Sequence, residues 1–337
     1  MNRLLRALAT AGTAVALGLS VAACGSGTVS DPGSNASGDQ AGESAAGASG
    51  EITVQTARGP VTLPGTATKV VALEWAYVEE LVALGVTPTG VADVAGYGQW
   101  VTAPSAKLPT EGVTDVGTRA EPSVEQIRAL DPDLIVAEEN AVAANFDQLN
   151  EIAPVLSFDY TVQPQLETMK TNFTELAKAV GQEEKAAEVL GAIDTKAAEV
   201  ADRLEAAGQA GLGYALAQGF TMNGAPSIRM FTDEAMGAQV LNLAGLTNSW
   251  TGEPDEWGFS TVTVENLTQV PSDATFLYVA GADDNPFTGV LADNPVWQGL
   301  DFVEQDRALA LDPGTWFFGG PLSAVQILDE TAKALQV

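Results

Sequence analysis

Across its 337 residues the chain has no histidine, one cysteine and a formal charge of -29, with 44 acidic against 15 basic side chains. This excludes Ser-His-Asp triads, imidazole proton shuttles, histidine metal sites, intrachain disulfides and thiolate clusters, and nucleic acid is not an expected partner of so acidic a chain. A hydrophobic content of 46% is normal for a packed globular protein, and the length suffices for one large or two medium domains.

The N-terminus carries Arg3 and Arg6, an apolar run from Ala7 to about Val21, and then Val21-Ala22-Ala23-Cys24. That order predicts a signal peptide over 1–23, and the run is too short for a comfortable membrane span. The small residues before Cys24 resemble a bacterial lipobox, which implies a lipid on Cys24 and an anchor on the outer face of the cytoplasmic membrane. Residues 24–50 are mostly Gly, Ser, Ala, Asp and Asn, so they are expected to form a disordered tether. Its random-coil reach is on the order of 30 Å.

From Lys69 short β-branched runs alternate with helical stretches, the pattern of α/β units around a mostly parallel sheet. Lys69 to Leu73 reads as a strand, Val78 to Leu84 as a helix stopping at Gly85, and Gly90 to Ala92 as a strand. Ser123 is expected to cap a helix through Leu130, and Asp131-Pro132-Asp133 then turns into the strand Leu134 to Val136. After Pro164 the character is helical. Gly181 separates one helix from a second, Gln182 to Ala207, whose Ala, Glu, Lys and Leu content predicts a continuous rod. Alternation resumes with strands at Tyr214 to Ala217 and Ile228 to Phe231, a helix from Ala235 to Ala244, a strand from Thr275 to Val279 and a final helix from Pro321. The expected organisation is an N-terminal α/β lobe over 51–181, a connecting helix over 182–208 and a C-terminal α/β lobe over 209–337. A single large α/β domain with an inserted pair of helices is the rival.

Aromatic residues are scarce, yet they recur where loops after strands are expected: Trp75, Tyr97 and Trp100 in the first half, Trp250, Trp257, Trp316, Phe317 and Phe318 in the second. Ligands of open α/β sheets bind beyond the strand carboxyl ends, so these residues are candidates for a pocket wall. Trp297, in Asn-Pro-Val-Trp, is assigned to packing. Arg119, in Asp115-Val116-Gly117-Thr118-Arg119, is a loop guanidinium able to fork onto ligand oxygens, and Arg229 is a second candidate on a predicted strand. Glu138 and Glu139 are paired carboxylates, but neighbours on a strand point to opposite faces and suit shared acid–base chemistry poorly.

The segments Val70 to Asp93, Tyr97 to Val101, Asp115 to Ile127, Leu246 to Glu253, Asn294 to Val303 and the Trp-Phe-Phe-Gly-Gly-Pro stretch from Trp316 together resemble one family. It is the bacterial substrate-binding proteins of iron–siderophore importers, and within it the ferric-hydroxamate (ferrichrome-type) binders. The resemblance implies two Rossmann-like lobes joined by one rigid helix, with an iron(III)–siderophore complex as ligand and no cofactor or protein metal ligand. It implies Arg119 on the hydroxamate oxygens, with Trp75, Trp100, Trp250 and Trp316 lining the cleft and Phe318 at a further pocket position, while Tyr97 and Trp257 stay candidates from their place in expected loops. It also implies docking on an ABC permease through one exposed glutamate per lobe, Glu125 and Glu265, the ATPase being another chain. Two departures point away from ferrichrome itself: no tyrosine follows the Leu134-Ile135-Val136 strand, and a pocket tyrosine is replaced by Phe318. A non-enzymatic, monomeric lipoprotein is expected, with haem or a corrinoid as the alternative ligand of the same fold.

Overall fold

A computed structural model describes residues 50–109 and 111–337, so the expected signal peptide, Cys24 and nearly all of the tether lie outside the described residues. An antiparallel hairpin, β1 (Ile52–Thr56) and β2 (Gly59–Leu63), comes first. Five strands then form a wholly parallel sheet: β3 (Val70–Ala72), β4 (Gly90–Val91), β5 (Thr114–Asp115), β6 (Leu134–Glu138) and β7 (Val155–Phe158). They are connected through helices α1 (Trp75–Ala83), α2 (Val94–Trp100), α3 (Val124–Ala129), α4 (Glu139–Val142) and α5 (Phe146–Asn150). Every residue of β3 and β6 is buried, which is why these strands read as unbroken apolar runs. The strand order is β5-β4-β3-β6-β7. The chain moves outward from β3 on one side and returns to β6 on the other, and an α/β sheet opens its ligand crevice beyond the strand ends at such a reversal.

Two helices follow, α6 (Gln165–Val180) and α7 (Glu183–Ala206). Gly181 ends α6 at φ 66°, a left-handed position that glycine occupies without strain, with its N–H donating to the Lys178 carbonyl and that of Gln182 to the Ala177 carbonyl. Along α7 the buried residues are Ala186, Val189, Ile193, Ala197, Val200 and Leu204, a three-to-four spacing that puts one stripe of the rod into the core. At about 1.5 Å per residue it spans roughly 36 Å.

The second sheet is mixed. It contains β8 (Gly213–Met222), β9 (Ala225–Phe231), β10 (Thr247–Asn248), β11 (Phe259–Val262), β12 (Thr275–Ala280) and β13 (Ala308–Ala310). Its order is β11-β9-β8-β12-β13, with β10 beside the start of β8. Helices α8 (Met236–Leu243), α9 (Pro295–Gln298), α10 (Asp301–Glu304) and α11 (Pro321–Ala334) pack around it. β8 and β9 run further than their apolar cores suggest, because Asn223 and Gly224 both take positive φ, 52° and 79°, and close a tight hairpin. Two separate sheets, each with its own helices, give the two-lobed α/β fold. The largest core cluster runs through both lobes and along α7 and α11. Among the described residues no helix is long and apolar enough to cross a membrane.

Candidate functional site

The N-terminal lobe builds its wall from residues just past strand carboxyl ends. Glu74 follows β3 as the cap of α1, and its carboxylate accepts from the Trp75 backbone N–H at 2.8 Å. Arg119 lies beyond β5. One of its nitrogens, Nη1, donates to both Glu74 oxygens, at 2.9 and 3.1 Å, and the guanidinium carbon sits 3.7 Å from the centre of the Trp75 ring. Gly117 sets that loop at φ 101°, and a β-carbon there would meet the Glu121 carbonyl at 3.1 Å and the Ser123 nitrogen at 3.2 Å. Among the described residues Nε and Nη2 of Arg119 have no protein partner, and its side chain is 32% exposed. The guanidinium is thus held by one nitrogen and a ring face, with its other donors free for oxygen acceptors.

Aromatic rings from the two lobes meet here. Trp75 packs edge-on against Trp316 at 5.5 Å, and Trp100 lies 6.0 Å from the same ring. Trp316 contacts Phe318 at 5.3 Å, which in turn meets Phe231 and Phe259 at 5.6 and 6.0 Å. Tyr160, two residues past β7, packs against Trp257 at 5.5 Å. On the C-terminal lobe Arg229 lies 4.9 Å over Phe220 and 4.8 Å over Phe259, and its Nη1 donates to Gln218 at 3.0 Å.

Of the residues singled out in the sequence, Trp75, Trp100, Arg119, Trp257, Trp316 and Phe318 come together in this region, Trp257 through Tyr160. Tyr97 does not belong to the wall. It is 1% exposed, and its hydroxyl donates to the Ala106 carbonyl at 2.6 Å, which commits its only donor within the protein. Trp250 is likewise a core residue of the second lobe, packed with Val264, Leu267 and Trp297 and donating to Ser260 at 3.3 Å. Trp297 is buried, as its assignment to packing required. Glu125 and Glu265 are exposed, the first in the opening turn of α3 and the second in a 3-10 helix at Val264–Gln269.

Sequence reading missed Glu74, Tyr160, Gln218, Phe220, Phe231 and Phe259. The apolar run Val155 to Phe158 ahead of Tyr160 was a legible strand signal. The Tyr160 hydroxyl has no partner among the described residues. The Glu74 partnership with Arg119 had no local signal, the two lying 45 positions apart.

Burial pushes the Glu74 carboxyl up, although Arg119 pulls it back. Glu138, at the end of β6, is also raised by burial and by Asp159, while accepting from the Ala141 N–H at 2.7 Å and from Asn140. The Tyr160 phenol is raised by burial and by the Glu74 and Glu138 carboxyls.

The sequence profile of the periplasmic binding proteins matches residues 70–315. The iron(3+)-hydroxamate-binding protein FhuD of Escherichia coli is 29% identical over 265 residues, covering 77% of this chain and 86% of that protein. The putative ABC transporter substrate-binding lipoprotein YhfQ of Bacillus subtilis is 29% identical over 283 residues, covering 82% and 86%. Among solved structures, the siderophore-binding protein FhuD of Vibrio cholerae with Fe3+–Desferal superposes with a TM-score of 0.71 at 27% identity, covering 80% of this chain and 97% of that one. With a match over most of its length, and the fold and strand-end crevice that go with it, the chain belongs to the periplasmic binding protein family.

Proposed function

We propose that this protein captures a ferric hydroxamate siderophore between its lobes and delivers it to an ABC importer, whose permease and ATPase are separate chains. The observation that carries this reading is Arg119: Glu74 and Trp75 fix its guanidinium, while Nε and Nη2 remain free to donate to ligand oxygens inside an aromatic enclosure. A siderophore supplies iron with its own oxygens, so the protein needs only ring surface and a few donors. Because Glu74 already balances Arg119, the site suits a near-neutral complex better than a multiply charged citrate or triscatecholate. Trp100, Trp257, Phe318 and Tyr160 would supply the walls, and Arg229 with Gln218 further polar contacts from the opposite lobe.

The protein performs no reaction of its own in this reading. Glu139, once a candidate carboxylate, is tied to Arg58 at 2.7 Å. Glu125 and Glu265 would dock on the permease, and Cys24 would hold the domain on the outer face of the cytoplasmic membrane. Tryptophan-fluorescence titration with ferrioxamine B, ferrichrome, ferric citrate, a ferric triscatecholate, haem and cobalamin tests the reading. The hydroxamates should bind tightest. Tightest binding of haem, cobalamin or an anionic complex would refute it.

A further inference from the structure

Behind the crevice, where α1, α6 and the second lobe meet, lies a cavity of ≈ 20 Å³ whose wall includes Glu80, Gln165, Asn172, Tyr160, Met236 and Phe318. Three of its polar atoms are buried without a protein partner: Glu80 Oε2, Gln165 Nε2 and Asn172 Nδ2. Glu80 is 1% exposed and Gln165 4%. The Gln165 amide is oriented, because its oxygen accepts from the Met236 backbone N–H at 3.1 Å and so leaves the nitrogen as the free donor. Leaving three such groups dry would cost about 1–3 kcal/mol each.

We propose that this cavity is a binding site for one water molecule, which accepts from Gln165 and Asn172 and donates to Glu80. The volume exceeds the roughly 10–15 Å³ that one water requires. Two amide N–H donors disfavour a cation. Burial and Glu79 push the Glu80 carboxyl well above the usual carboxylate range, which suits a neutral acid within a hydrogen-bonded set. The water joins α1 of the first lobe to α6. The start of α6 is in turn pinned to the second lobe, with the Leu166 N–H donating to Gln239 at 2.8 Å and the Gln165 N–H to the Glu234 carbonyl at 3.2 Å. The site thus ties α1 to the helix that carries these contacts to the second lobe, directly behind Tyr160 and Phe318, and it is independent of which siderophore the crevice takes.

A crystal structure of the ligand-free full chain at about 1.3 Å or better should show one fully occupied density peak within hydrogen-bonding reach of all three atoms. No peak, or a direct Glu80–Asn172 bond in its place, would overturn the site. Melting of Glu80→Met gives a second reading. If the water is real, methionine displaces it, strands two buried amide donors and lowers Tm by several degrees; if the cavity is dry, removing an unpartnered carboxyl raises Tm. Should Glu80→Met fail to fold, Glu80→Gln takes its place in the crystals, where retention of the peak supports the site and its loss overturns it.

Discussion

Arg119 shows how much one side chain's surroundings decide. A guanidinium in an acidic chain ordinarily ends in a surface salt bridge worth little. Here the partner, Glu74, is buried and the ring of Trp75 lies beneath, so the pair is a preorganised donor. Arg119→Ala should weaken hydroxamate binding by about 1.5–3 kcal/mol, the loss of a charged hydrogen bond, and should also lower the melting temperature because the buried Glu74 carboxyl loses its partner. Isothermal titration at fixed pH checks it, and unchanged affinity would return Arg119 to a structural role.

Glu79 carries a different residue-scale prediction. It accepts from Ser323 N–H and Oγ–H, both at 2.6 Å, across the α1–α11 contact, yet burial still raises its carboxyl, as it does that of Glu80. The unfolded chain therefore loses these protons at a lower pH than the folded one. The stability contributed is fully present below the ordinary glutamate range and is lost as pH rises through the raised folded values. The groups facing this pair are each other, Tyr77, Tyr97 and Ser323, with no basic group among the causes of either shift. Melting temperature should rise as pH falls from about 7.5 toward about 5.5, and Glu80→Gln should flatten part of that slope. A slope unchanged in Glu80→Gln would mean that the many surface carboxylates, and not this pair, set it.

At the scale of elements, the helix from Gln182 to Ala207 was legible because its stripe of Ala, Val, Ile and Leu repeats within a single segment. Ile193→Ala or Leu204→Ala, both in that stripe and nearly inaccessible, should cost about 2–5 kcal/mol in denaturant unfolding. The loop of Gly117 is the element that aims Arg119. Gly117→Val forces a β-branched residue to a positive φ against backbone atoms, a strain of about 1–3 kcal/mol, and should weaken binding as well as stability. The β8–β9 hairpin was underestimated although Asn223-Gly224 is a strong turn signal. Its flanking positions on the exposed end, such as Thr221 and Met222, lack the apolar alternation by which strands are usually recognised.

For the whole molecule, the stiffness of α7 and the ring contacts already made between lobes, Trp75 with Trp316 and Tyr160 with Trp257, leave little room for a wide hinge. Solution scattering with and without ferric hydroxamate should differ only slightly, and a large compaction would refute this. Glu125→Ala with Glu265→Ala should leave binding unchanged and impair uptake by cells, since both side chains are exposed and neither bonds to Arg119, Glu74 or Arg229. Sequence alone determined the α/β alternation, the long helix, the single cysteine at Cys24 and the aromatic and arginine candidates, because periodicity, composition and motif spacing are local properties of the chain. Only the tertiary structure decided that Trp75 and Trp316 meet across the lobes while Tyr97 and Trp250 are core, and that Glu74 holds Arg119. Those fates depend on partners brought from distant segments, and residues of one type carry no local mark of which partner they will find.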